Sequence, residues 1–304
     1  MFLFSGITRE LRLSRRARYD IAEHRYRARL VDYSMMFYPR FIFLVGALAC
    51  SAAVARAAEW EATVDPLVRG TSAITRPVTV KYGFGWNGIT AATGRVRFTK
   101  PDEKRLQFAI DGGTIGLART LWRYDVDHTA FVDAESFRPL ETHEVEQVRT
   151  KHVKTDLTFT PDGVTSVREQ RNKGEVKSDT RRFDFPNVLS VNAALLYLRA
   201  KPLTQGAVHR VVVYPANSAY LCTITVVGRE PVTVPIGTSN ALKLDVQLNK
   251  IGANRELLPH KKVKKTTVWV SDDANRLVLR IEAQVFIGTV FAELQSIEEV
   301  AAPQ

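Results

Sequence analysis

From Ala241 to Asn249 the chain alternates. Leu242, Leu244, Val246 and Leu248 are apolar, and Lys243, Asp245, Gln247 and Asn249 are polar. A strand sends successive side chains to opposite faces, so a period of two predicts a half-buried antiparallel strand. Thr266–Val270 and Leu277–Phe286 predict two more, joined by the turn Ser271-Asp272-Asp273-Ala274-Asn275. In the second, Leu277, Leu279, Ile281, Ala283 and Val285 share one face, while Arg280, Glu282 and Gln284 share the other. Gly288 permits a bend, and "TVFAELQSI" supplies a last strand.

Upstream, "VTVKYGFGW", "GRVRFT", "RLQFAID", "LWRYDVD", "HTAFVD" and "DLTFTPDGVTSVREQ" fit strands and hairpins, with turns such as Pro161-Asp162-Gly163. "HRVVVYP" and "AYLCTITVVGRE" follow a central break. That break holds one helical pattern. Ser190 can act as N-cap, Val191, Ala194, Leu195 and Leu198 follow at helical spacing, and Pro202 ends the pattern. So short a helix needs a sheet to pack on. The expectation is a mainly β protein: a curved antiparallel sheet or incomplete β-barrel with one short packed helix over residues 190–199.

The N-terminal region changes what counts as the working protein. Phe41 to Ala49 is an apolar run of nine residues, short of the roughly 20 that a membrane-spanning helix needs. No stable transmembrane anchor is expected. Arg40 before this run and the A-x-A sites after it, Ala53-Val54-Ala55 and Ala55-Arg56-Ala57, make a signal-peptide pattern with cleavage after Ala57. Met35 or Met36 is then the start. Residues 1–34 read as an over-extended gene start, disordered or irregular. Residues 35–58 read as the signal peptide, 59–75 as an N-terminal segment, 76–298 as a single β-rich domain and 299–304 as a tail.

The first 58 residues hold ten Lys and Arg against four Asp and Glu, which is +6 of the formal +11. The remainder has 33 basic and 28 acidic residues, a mild +5. That balance gives no reason to expect a nucleic-acid partner. Cys50 lies inside the signal. Ala47-Leu48-Ala49-Cys50 resembles a lipoprotein box with its leucine one place too close, so lipid anchoring there is the lesser alternative. Cys222 is then alone, and its apolar run "YLCTITVV" predicts a buried thiol.

Five segments occur in a specific order: "YGFGWNGITAATGRVRF", "FRPLETHE", "LLYLRAKPLTQG", "YLCTITVVGREPV" and "WVSDDANRLVLRIEAQVFIGTVFAEL". In this order the chain resembles the bacterial exported family catalogued as domain of unknown function 3108. The resemblance covers about residues 76–296, and Trp269 to Leu294 is its most specific part. The family usually has proline where this chain has Val278 or Leu279. The resemblance implies an envelope location and a β-rich fold, and signal cleavage would leave the protein periplasmic or secreted. It carries over no catalytic residues.

Candidate chemistry is sparse. Asp272 and Asp273 could bind a hard cation, but without further acidic neighbours they read as a turn whose side chains bond the backbone. His128, His143, His152, His209 and His260 show no metal-ligand spacing, and no G-x-S-x-G elbow is present. Gly83-Phe84-Gly85 and Asp111-Gly112-Gly113 lack the context of phosphate loops. No catalytic, metal or cofactor-binding residue is assigned, no cofactor is expected, and an enzyme is not the favoured reading. "HKKVKK", His260 to Lys265, reads as a solvated hairpin tip or a contact for anionic headgroups.

If the sheet curls around a hollow, Trp86, Trp122, Tyr124, Tyr197 and Trp269 are the candidates to line it. The expected function is non-enzymatic binding or carriage of a lipophilic or glycan-like molecule in the cell envelope. The alternatives are a module docking another envelope protein and a hydrolase with a dispersed site.

Overall fold

A computed structural model describes residues 59–67, 77–260, 263–286 and 288–299. The expectations for residues 1–58, including the cleavage site at Ala57 and the lipoprotein alternative at Cys50, lie outside these.

Fifteen strands make one antiparallel sheet. They are β1 (Val78–Trp86), β2 (Ile89–Asp102), β3 (Arg105–Thr114), β4 (Tyr124–Asp133), β5 (Pro139–Val148), β6 (Lys151–Thr160), β7 (Gly163–Asn172) and β8 (Glu175–Asp184), followed by β9 (Val208–Val213), β10 (Tyr220–Val234), β11 (Gly237–Ile251), β12 (Leu257–Pro259), β13 (Val263–Ser271), β14 (Val278–Val285) and β15 (Gly288–Glu299). Among the described residues two α-helices interrupt them, α1 (Gly116–Leu121) and α2 (Val191–Arg199), and a 3-10 turn covers Glu59–Thr63. The strand order is β8-β7-β6-β5-β4-β3-β2-β1-β15-β14-β13-β11-β10-β9, with β12 added beside β11. Hairpins therefore build two meanders, and β1 joins them by pairing with β15.

The main core explains why so short a helix survives. Ala193, Leu196 and Tyr197 of α2 are buried against Phe98, Leu106, Phe108, Ala130 and Val132 on one side. The same cluster includes Val211, Ile224, Val226, Leu242, Leu244, Val270 and Val278 from the other meander. Strands distant along the sheet converge on one helix, so the sheet curls and α2 fills its hollow. Each large apolar side chain buried here contributes on the order of 2 kcal/mol. Ser190 accepts from the Ala193 amide at 3.1 Å, as expected for the N-cap. Arg276 closes the other end, donating to the carbonyls of Leu198, Arg199 and Lys201.

The barrel is not closed by strand pairing. Among the described residues no ladder joins the edge strands β8 and β9. A single parallel bridge, Leu189 to Val213, stands in the gap: the Leu189 amide donates to the Val212 carbonyl and the Tyr214 amide to the Leu189 carbonyl. Side chains complete the seam. Leu157, Phe159, Val164, Phe185 and Val188 pack with Val212, Tyr214, Leu221 and Ile251. Trp60 stacks on Phe185 at 5.5 Å and donates its indole N–H to the Arg255 carbonyl. The Arg255 guanidinium lies 5.2 Å and 5.3 Å from the rings of Phe183 and Phe185.

Several expectations sharpen. "LWRYDVD" and "HTAFVD" form one strand, β4, because Tyr124, Val126, His128, Ala130 and Val132 are buried in an unbroken alternation. Leu121 ends α1 instead of starting that strand. Strands β5 and β8 were not anticipated: β8 is exposed at nearly every position, so it carries no apolar alternation to read. Gly85 sits at a bulge in β1, where a Cβ would lie 2.2 Å from the Ile89 carbonyl and 2.4 Å from the Phe291 ring. The turn after β13 is built by Asp273, which accepts from Ser271 Oγ and from the amides of Asn275 and Arg276. Asp272 pairs with Arg229 at 2.7 Å.

Candidate functional site: a polar row across the concave face

Ala130 and Val132 of β4 face α2, which identifies the concave side of that strand. His128 lies on the same side, and its in-register partners extend a row across the sheet. His128 pairs with Glu144, Glu144 with Thr155, Thr155 with Arg168, and Arg168 with Asp179. Directly paired residues share a face, so these five side chains leave the sheet together. His128, Glu144 and Thr155 are buried, Arg168 is intermediate and Asp179 is exposed. The row thus runs from beneath α2 out to solvent at the β8 edge. A parallel row one pleat away holds Val126, Glu146, Val153, Gln170 and Lys177.

The inner end of the row is tied to the helix. His128 Nδ1 lies 3.2 Å from Glu144 Oε2, and Nε2 lies 3.2 Å from Asn192 Oδ1 on α2. With Asn192 accepting, Nε2 carries a hydrogen, and the Nδ1–Oε2 contact needs a proton on one of its two atoms. Beside this pair, the Tyr124 hydroxyl donates to Glu146 Oε1 at 2.8 Å. Burial, reinforced by the charges of Glu146 and Glu144, pushes the Tyr124 phenol far above its ordinary range and keeps it a donor. Thr142, on the same face one pleat from Glu144, has a buried hydroxyl with no hydrogen-bond partner among the described residues. So does the Trp122 indole N–H, over whose ring Arg149 stacks at 5.4 Å. Native structures leave few such groups unpaired.

The five aromatics expected to line a hollow fall in separate places. Trp122 and Tyr124 share a cluster with Phe84, Ala92, Val126 and Val148. Tyr197 belongs to the main core, with its hydroxyl on Asp65 at 3.0 Å. Trp269 packs with Val80, Val232, Val234, Leu279 and Leu294, and its indole donates to Glu230 at 2.7 Å. Trp86 is an exposed residue at the end of β1. Only Trp122 and Tyr124 lie together, and they flank the polar rows. The rows themselves escaped sequence reading because their partners are 7 to 20 residues apart on neighbouring strands. The available signal was His128 in phase with Tyr124, Val126, Ala130 and Val132.

Elsewhere, Asp65 accepts from Tyr197 and contacts His209 Nδ1 at 3.1 Å, pinning the N-terminal segment across α2 and β9. Among the described residues no group of three His, Cys, Asp or Glu side chains is placed to hold a metal ion. No described helix is long and apolar enough to cross a membrane.

The family described as "Protein of unknown function (DUF3108)" matches residues 78–295. No curated protein matches the chain. A β-barrel-like protein of domain of unknown function DUF1849 from Brucella abortus is similar in fold, with a TM-score of 0.52 at 11% identity over 76% of this chain and 100% of that one. A candidate exported protein with a YmcC-like fold from Bacteroides fragilis aligns at 9% identity over 76% of this chain and 100% of its own, with a TM-score of 0.28. A candidate lipoprotein from Parabacteroides distasonis aligns at 8% identity over 76% and 99%, with a TM-score of 0.31.

Proposed function

The chain belongs to the DUF3108 family, and from its own geometry we propose that it is an exported, non-enzymatic binding protein for a glycan-like molecule of the cell envelope. The carrying observation is the row His128–Glu144–Thr155–Arg168–Asp179, which crosses the concave face from buried to exposed. Where the row reaches solvent, the Arg168 guanidinium, the Asp179 carboxylate and the neighbouring Gln170 amide offer donors and acceptors that match those of a sugar chain. The half-buried Trp122 supplies apolar ring surface beside them, with the fully buried Tyr124 packed behind it.

A lipophilic ligand is the poorer fit, because α2 and its apolar partners fill the part of the hollow that would suit it. The non-enzymatic reading rests on His128, whose two ring nitrogens are both engaged by Glu144 and Asn192. Export rests on the sequence pattern of residues 35–58.

Native mass spectrometry of protein recovered from the envelope fraction tests this. Saccharide mass increments that disappear in Arg168→Ala and Gln170→Ala are expected. Acyl-chain masses alone, or saccharides retained by both variants, would overturn the assignment.

A further inference from the structure

One end of the barrel carries an apolar rim that neither the core nor the polar rows use. β1, β3 and β14 all run toward this end, as the antiparallel pairing with their neighbours requires. The connections there are the β1–β2 turn, the β14–β15 turn and the segment holding α1. They belong to five strands adjacent in the sheet, β3-β2-β1-β15-β14. Contacts link them: the Asn87 amide donates to the Thr289 carbonyl, the Thr289 amide to Asn87 Oδ1, and the Ile115 amide to the Ala91 carbonyl.

Each connection lifts large apolar side chains into solvent. Ile89 is 70% exposed, Leu117 75%, Leu121 69%, Phe286 68% and Trp86 44%. Isolated exposed apolar residues are common on soluble proteins, but several on one rim mark a binding surface. These are protruding points on separate turns, a shape suited to a deformable apolar phase more than to a complementary folded partner.

Charge supplies the second observation. Arg119 and Arg123 stand beside the tips and share Asp125, with Arg119 Nη1 at 2.6 Å and Arg123 Nε at 3.1 Å. Arg149 lies over Trp122 in the same region. On the other flank, Val263 within the basic run His260–Lys265 pairs with Val285, one residue from Phe286. Apolar tips flanked by arginines match a bilayer interface, with side chains at acyl depth and cations at the level of anionic headgroups.

We infer that this rim docks the protein on the surface of a membrane containing anionic lipid, with Trp86, Ile89, Leu117, Leu121 and Phe286 as the inserted side chains. The inference is independent of the glycan reading, since none of these residues belongs to the polar rows.

The test compares the full chain with an Ile89→Ser/Leu117→Ser/Leu121→Ser/Phe286→Ser variant by co-flotation with phosphatidylcholine vesicles, with and without phosphatidylglycerol. Both chains carry the same residues 1–58, so the difference reads the rim alone. Near-UV circular dichroism checks that the variant retains the fold. A loss of roughly ten-fold or more in affinity is expected from removing this apolar area. A separate Arg123→Gln/Arg149→Gln variant should lose the preference for anionic vesicles, as should wild type at high salt. Equal flotation of wild type and rim variant would overturn the inference. So would self-association or co-purification with a protein that the rim variant abolishes while vesicle binding is unchanged.

Discussion

Arg276 Nη1 lies 2.7 Å from the carbonyl oxygen of Arg199, and the same atom also reaches the carbonyls of Leu198 and Lys201. The last carbonyls of a helix have no partner within it, and a guanidinium offers both donors and the charge that the helix end favours. Here it comes from the turn between β13 and β14, far along the chain. Arg199 returns a bond from Nε to the Arg276 carbonyl at 3.3 Å. The plug is therefore fastened to the sheet by reciprocal main-chain bonds.

Arg276→Ala should destabilise the protein by about 1–3 kcal/mol, the range for losing hydrogen bonds from a charged donor to partly buried acceptors. Arg276→Lys should recover part of this, because the ammonium keeps the charge and the donors but on a flexible stem that is not preorganised as the guanidinium is. Urea unfolding midpoints check it. Equal stability of Arg276→Ala and wild type would show that the capping bonds contribute nothing net.

The seam offers a local readout. Trp60 stacks on Phe185, bonds the Arg255 carbonyl and so braces the region where β8 and β9 fail to pair. Trp60→Ala should cost about 2 kcal/mol, below the value for a fully buried tryptophan because this one is only partly covered. The loss should be uneven. In hydrogen exchange, the amides of Leu189 and Tyr214, which form the lone bridge, should lose protection before those of β2 and β3. Uniform loss across the sheet would mean that the seam is no weaker than the ladders.

These two contacts mark where the sequence stops being informative. Alternation placed Leu242, Leu244 and Val246 on one face of β11, and they do meet the core. Ser190 placed the start of α2, because capping is local, but the buried face is Asn192, Ala193, Leu196 and Tyr197 and not the expected stripe Val191, Ala194, Leu195 and Leu198, which is only partly covered. The Asp273 turn was legible for the same reason. What alternation cannot give is register between distant segments. Nothing local says that β1 pairs with β15, that Leu189 bridges to Val213, or that Arg276 ends α2. The polar row failed for a related reason. Glu144, Thr155 and Arg168 look like solvent-facing residues until the register shows that they share His128's side.

Buried acids of weak strength give the last prediction, a loss of stability in alkali. Cys222 is partly buried as a whole residue and packs beside the main core. Burial of its thiol pushes the pKa up to about 12. Tyr82 donates to the Val278 carbonyl at 2.8 Å, and burial, partly offset by the Arg199 charge, pushes its phenol up to about 12 as well. In the unfolded chain these groups ionise near 8.5 and 10. A folded-state pKa raised above the unfolded one gives stability that is complete below the unfolded value and lost as pH rises toward the folded value. The unfolded state then binds fewer protons than the native state, so the sign is a decline with pH. Cys222 acts alone from about pH 8.5 to 10, with a slope of at most about 1.4 kcal/mol per pH unit, and Tyr82 joins it above about pH 10. Cys222→Ala should flatten the first window and leave the second, while Tyr82→Phe should leave the first and only lessen the decline in the second, which the buried phenols of Tyr124 and Tyr197 share. The same burial should leave the native thiol almost inert to a disulfide reagent at pH 8, since the thiolate is the reacting form. Unfolding midpoints in urea at intervals from pH 7 to alkali provide the measurement. An unchanged slope between about pH 8.5 and 10 in Cys222→Ala would place the alkaline loss elsewhere.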